Sequence, residues 1–216
     1  MALLYEPLDT ALGTTSKIRL LRALLPLTQA VSGREAARRA GVAWAPAAHA
    51  LQELVALGIL DRQEAPGRHL YTVNRDNYLV RQAFPFLFRA EAERVEAVVG
   101  LLREELGVDQ EGLQQRLTRG VAIIGAATAM RQAPGNALDL LVVVGSNAAG
   151  DRVWAILAGI APKLERRFGL HLSPVVLPQA ELKARYEAGD PLIRAALKDS
   201  VTVSGRSLRE LVGGDA

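Results

Sequence analysis

The stretch Ile123-Ile124-Gly125-Ala126, followed by Asn136-Ala137-Leu138-Asp139-Leu140-Leu141-Val142-Val143, decides the fold of the C-terminal half. Val121–Ile124 is apolar and stops at a glycine, which predicts a strand running into a tight turn. Leu138–Val144 is an unbroken apolar run too short for a typical helix, which predicts a buried strand. Asp139 stands alone in it, fourteen residues after Gly125. Side chains alternate along a strand, so Ala137 and Asp139 share one face.

Outward from this pair the pattern alternates in type. Asp151–Phe168 carries Val153, Ile156, Leu157, Ile160 and Leu164 at helical spacing. Leu172–Leu177 reads as a third strand, Gln179–Tyr186 and Pro191–Lys198 as short helices, and Val201–Val203 as a final strand. Such alternation predicts an α/β (α+β) domain over 108–216. Residues 81–107 predict a linking helix. Its apolar stripe begins at Phe84, Leu87 and Phe88, continues through Val95, Val98, Val99, Leu102 and Leu106, and ends at Gly107; Pro85 interrupts it early.

Residues 1–80 read as three helices and a hairpin. Ser16 is placed to cap a first helix with Ile18, Leu21, Leu24 and Leu25 on one face. Ser32-Gly33-Arg34-Glu35 has the form of a capping box, opening a short helix from Glu35 to Ala40 that Gly41 stops. A third helix runs from about Pro46 to Leu57 with Ala47, Leu51, Leu54 and Val55 inward, and Gly58 ends it. Ile59–Gln63 and His69–Val73 then flank Glu64-Ala65-Pro66-Gly67-Arg68, a hairpin around a Pro-Gly turn.

Composition constrains the function. Lys+Arg 26 against Asp+Glu 23 gives +3, too balanced to advertise a nucleic acid, so such a case rests on local geometry. No cysteine excludes disulfides and thiolate metal sites, and fits a reducing cytoplasm. The start lacks the basic-then-apolar signature of a signal peptide, and no run of roughly eighteen apolar residues predicts a membrane span. The expected location is cytoplasmic.

The run from Ser32 to Leu60 resembles the helix-turn-helix and hairpin of bacterial winged-helix repressors. That resemblance implies duplex DNA as partner. The groove-facing side of the third helix then carries Trp44, Ala45, Ala48, His49 and Gln52, of which His49 and Gln52 bear groups able to hydrogen-bond base edges. Arg34, Arg38 and Arg39 fall near the phosphate path, and Arg62 and Arg68 lie on the hairpin, Arg68 at its tip. A packing role for Trp44 and a plain surface role for His49 are the alternatives. Paired half-sites raise affinity, so a homodimer is expected.

The Gly125-Ala126 turn and Asp139 strand resemble the active-site signature of the nucleotidyltransferase superfamily. Its Gly-Ser turn holds nucleotide phosphates, and an Asp-x-Asp pair with a third carboxylate binds divalent metals. Here Ala126 stands for the serine, Ala137 for the first aspartate, Met130 where glycine is frequent, and Leu170–Val176 contains no carboxylate. Together with Arg89–Arg94, Leu172–Pro178, Ala188–Leu197 and Val203–Leu211, the chain resembles, from about 10 to 212, bacterial and archaeal regulators that join a winged helix to a nucleotidyltransferase-like domain. The expectation is a DNA-binding regulator whose C-terminal domain has lost catalysis and serves dimerisation or sensing, with no resident cofactor or metal. Gly125, Ala126, Thr128, Arg131 and Asp139 form a relic site that a nucleotide effector would use. The alternatives are an active nucleotidyltransferase or antitoxin-type enzyme acting on protein or RNA, and a protein-binding winged helix.

Overall fold

Thr14, extended at φ −136°, accepts a hydrogen bond from the Lys17 amide at 3.3 Å and starts the helix Thr15–Leu24. The cap is Thr14, two residues earlier than the expected Ser16. In the computed structural model, which describes residues 7–106, 117–125 and 136–213, this helix is α2, preceded by a short α1, Pro7–Leu12, that the apolar pattern did not announce. The chain divides into two compact units, Met1–Glu93 and Arg94–Ala216. The whole is a mixed helix and strand protein with two separate sheets.

In the first unit Ser32 caps α3, Gly33–Ala40, by accepting from the Glu35 amide at 3.2 Å. Only this half of the predicted capping box forms. The Glu35 carboxylate turns to Arg38 and Arg39 instead, because two guanidiniums one turn away attract it more strongly than one backbone amide. Helix α4 spans Trp44–Ala56 and starts two residues before the expected Pro46, which sits in the first turn where its missing N–H costs nothing. Two residues, Val31–Ser32, form β1 and pair antiparallel with β3 (Arg68–Val73), which also pairs with β2 (Leu60–Ala65). So short a strand carries no periodicity, and sequence gave no sign of it. The hairpin turn is tighter than the five residues expected: Ala65 pairs with Arg68 across Pro66-Gly67. Leu20, Leu21, Leu24, Ala36, Ala47, Leu51, Leu54, Ile59 and Phe84 fill the core of this unit.

The expected linking helix is three helices. Helices α5 (Tyr78–Gln82) and α6 (Phe84–Ala92) part where Pro85 denies a backbone donor, and α7 (Arg94–Glu105) begins beyond Glu93. Phe84 and Phe88 pack edge to face in the first unit, whereas Val98, Leu101 and Leu102 join the core of the second. Leu87 and Val95 are half exposed. The apolar stripe expected on one helix belongs to two cores, and the Arg94 guanidinium donates to the Phe168 carbonyl of the second unit. Gly107, expected to close the helix, lies outside the described residues.

The second unit has a four-stranded sheet in the order β6-β5-β4-β7, with β4 Thr118–Ile124, β5 Ala137–Val144, β6 His171–Pro178 and β7 Val201–Gly205. β4 is antiparallel to both β5 and β7, while β5 and β6 run parallel through α8, Asn147–Phe168. Alternation along β5 separates two cores. Leu138, Leu140, Val142 and Val144 face α7 and α8; Leu141 and Val143 face Leu182 of α9 (Gln179–Glu187), Ile193 and Ala196 of α10 (Pro191–Lys198), and Leu208 and Leu211 of α11 (Leu208–Gly213). The sheet is covered on both sides, which is why β5 reads as a continuous apolar run. Pro174 and Pro178 lie on β6, an edge strand, where a missing donor is tolerated. No helix among the described residues is long and apolar enough to cross a membrane.

Candidate nucleic-acid interface

Helix α4 buries Ala47, Ala50, Leu51 and Leu54 and leaves Ala45, His49 and Gln52 exposed, with Ala48 partly so. The predicted groove-facing row is therefore solvent-facing. Its first residue, Trp44, does two things. It is 51% exposed, yet its six-membered ring lies over Gly33 at the start of α3: a Cβ there would come within 3.1 Å of Trp44 Cη2 and 3.2 Å of Tyr71 Cε2. Gly33 is needed for this close approach, and the indole joins the starts of α3 and α4 while keeping half its surface free.

His49 is held from below. Its Nδ1 lies 3.2 Å from Glu53 Oε2, one turn along α4. Glu53 is in turn 2.8 Å from the ammonium of Lys17, an α2 residue only 4% exposed. The hydrogen bond from Lys17 holds the Glu53 carboxyl below its usual range, against the opposing effect of burial, with His49 adding a smaller push the same way. Sequence reasoning missed this chain. The only available signal was a lysine beside Ile18 on a helix face otherwise given to leucine and isoleucine.

The arginines fall into two groups. Arg38 grips Glu35 in bidentate fashion at 2.8 and 2.7 Å, and Arg39 Nε reaches the same carboxylate at 2.6 Å. These bonds push the Glu35 carboxyl down to about 2 and raise the Arg38 guanidinium above its ordinary value. One carboxylate thus offsets part of the positive charge expected at the phosphate path. Arg34, Arg62 and Arg68 are exposed and carry no acidic partner among the described residues. Arg62 pairs in register with Tyr71, and Arg68 with Ala65. Alternation along the ribbon therefore sends Arg62 and Arg68 from opposite faces of the hairpin.

In the second unit Asp139 pairs in register with Ile124, the last residue of β4. Gly125 follows with φ +77°, and a Cβ on it would lie 2.6 Å from Asp139 Oδ2. The glycine makes room for the carboxylate. Ala137 and Asp139 share the face of β5 that Leu141 and Val143 also occupy. The register of parallel β6 sets His171 beside Ala137 and Ser173 beside Asp139. On this face the described residues thus present one carboxylate flanked by an alanine and a serine. A magnesium pair needs several oxygen ligands converging on one point, so these residues do not fit it. Among the described residues no group of three or more His, Asp or Glu is placed to hold a metal ion. Ala126, Thr128, Met130 and Arg131 lie outside the described residues. No protein-family model, curated protein or solved structure matches this chain.

Proposed function

We propose that this protein is a DNA-binding transcription regulator, its first unit a winged helix-turn-helix and its second a nucleotidyltransferase-like domain without catalysis that serves dimerisation or sensing. It acts as a cytoplasmic homodimer on double-stranded DNA. The observation that carries the reading is the outward row of α4, with Ala45, His49 and Gln52 exposed and Trp44 half so, in a unit whose Arg34, Arg62 and Arg68 are exposed with no acidic partner among the described residues. A short helix, a tight connection, a second helix and a hairpin in this order fit a recognition helix for a major groove with a ribbon beside it. A reading row with two alanines and only two side chains of hydrogen-bonding length implies modest direct readout, supplemented by phosphate contacts and duplex shape.

Two positions support loss of catalysis. Ala137 stands on the same face as Asp139, and Ser173 lies beside Asp139 on the neighbouring strand β6, where a two-metal site would place acids. A nucleotide effector at Gly125 and Asp139, which lie close together at the end of β4, is the second role proposed for this domain. Calorimetry with ATP, GTP and CTP, with and without magnesium, tests that role; absence of both heat and a melting shift removes it.

The primary test is selection of bound duplexes from random DNA, followed by filter binding over a salt series. Specific enrichment and a linear fall of log affinity with log salt are expected. Uniform failure to retain any duplex at low salt overturns the reading.

A further inference from the structure

We propose that His49 recognises its base through Nε2 acting as a hydrogen-bond acceptor, and so selects adenine or cytosine on the strand it contacts. The inference rests on the DNA-binding reading above and adds the class of base edge that the helix recognises. A neutral imidazole has one proton for two nitrogens, and its neighbours decide where it sits. Nδ1 lies 3.2 Å from a Glu53 carboxylate that buried Lys17 keeps ionised and in place. An unprotonated Nδ1 would set its lone pair against that negative charge. In the neutral ring the proton therefore resides on Nδ1, and Nε2 presents a bare lone pair.

That lone pair points away from the anchored side of the ring. The His49 side chain is 74% exposed, and Ala45 and Ala48 beside it are too short to hold a base edge away. In the major groove adenine and cytosine offer amino groups, while guanine and thymine offer oxygen acceptors at the corresponding positions. An acceptor against an acceptor repels, so discrimination comes as much from rejecting guanine and thymine as from binding the amino bases. Gln52 carries both a donor and an acceptor and imposes no such sign. The fixed tautomer makes His49 the residue on α4 that discriminates between base classes.

Two measurements on the full chain test this. In alkaline buffer, nitrogen–proton correlation spectra report the imidazole tautomer, with His49 identified by the signals lost in His49→Gln. The Nδ1–H form is expected; a dominant Nε2–H form overturns the proposal. Selection from a randomised duplex library then compares wild type, His49→Ala and His49→Lys, all exposed-site changes whose folding is checked by thermal melting. One position should favour adenine or cytosine about tenfold, the lower end of what a good base contact discriminates. That preference should vanish in His49→Ala and move to guanine in His49→Lys. An unchanged preference in His49→Ala defeats the role of His49 and leaves DNA binding intact. Failure of wild type to enrich any duplex defeats the DNA reading and this inference with it.

Discussion

A single carboxylate, Glu35, holds two guanidiniums, and its titration should be visible in acid stability. Its value falls from 4.5 to about 2 on folding, so the bound proton is disfavoured in the native state. The stabilisation is complete above the unfolded value and is lost as pH falls from about 4.5 towards 2. Glu35→Gln should therefore melt lower than wild type at neutral pH, and the two should converge at the acid end; parallel curves would contradict the assignment. Gly125 offers a second test. Gly125→Ala puts a Cβ 2.6 Å from Asp139 Oδ2 on a backbone at φ +77°, and should cost about 1–3 kcal/mol. The double variant with Asp139→Ala relieves the clash and leaves the backbone strain. Its cost should be less than the sum of the single changes, measured by denaturant unfolding. Neither contact was legible in sequence. The spacing of Gly125 and Asp139 could be read, but their approach depends on the Ile124–Asp139 register. Glu35 was placed at a helix start by pattern, and its partner there was misjudged because Arg38 and Arg39 compete for the same oxygens.

Secondary-structure elements show which signals sequence carries well. Helices α2 and α4 and the strands of the second unit follow apolar patterns, α3 its serine cap and Gly41, and the hairpin its Pro-Gly turn; each lies within a few residues of expectation. The linking helix failed because its stripe satisfied one helix by spacing alone. Spacing does not record that Phe84 packs in one core and Leu102 in another. For α4, Leu51 is fully buried, and Leu51→Ala should cost about 2–5 kcal/mol by chemical denaturation. The hairpin carries a prediction about charge. Arg62 and Arg68 leave opposite faces, so on the proposed duplex each would meet a different phosphate, and Arg62→Ala and Arg68→Ala should each lower the salt slope by about 1. Their effects should add. Arg34→Ala should weaken duplex binding more than Arg38→Ala, since Glu35 already holds the Arg38 guanidinium and screens it from a phosphate. Equal losses at Arg34 and Arg38 in filter binding would show that Glu35 releases its partners on the duplex.

The molecule as a whole is proposed to work as a pair of chains of 23.2 kDa each. Light scattering should report twice that mass, and a species of one chain at all concentrations would count against the pair. The sheet of the second unit limits how such a pair forms. Among the described residues its outer strands are β6 and β7, and the two are chemically unequal. Pro174 and Pro178 lie four residues apart on β6 and so share one parity, and neither has an N–H to offer a neighbouring strand. β7 carries no proline. The proline-bearing flank is thus a poor template for a further strand, and at β7 the Val203 carbonyl already accepts from the Arg103 guanidinium at 2.6 Å. Among the described residues each flank of the sheet thus carries its own check on growth from copy to copy, absent donors on β6 and an occupied acceptor on β7.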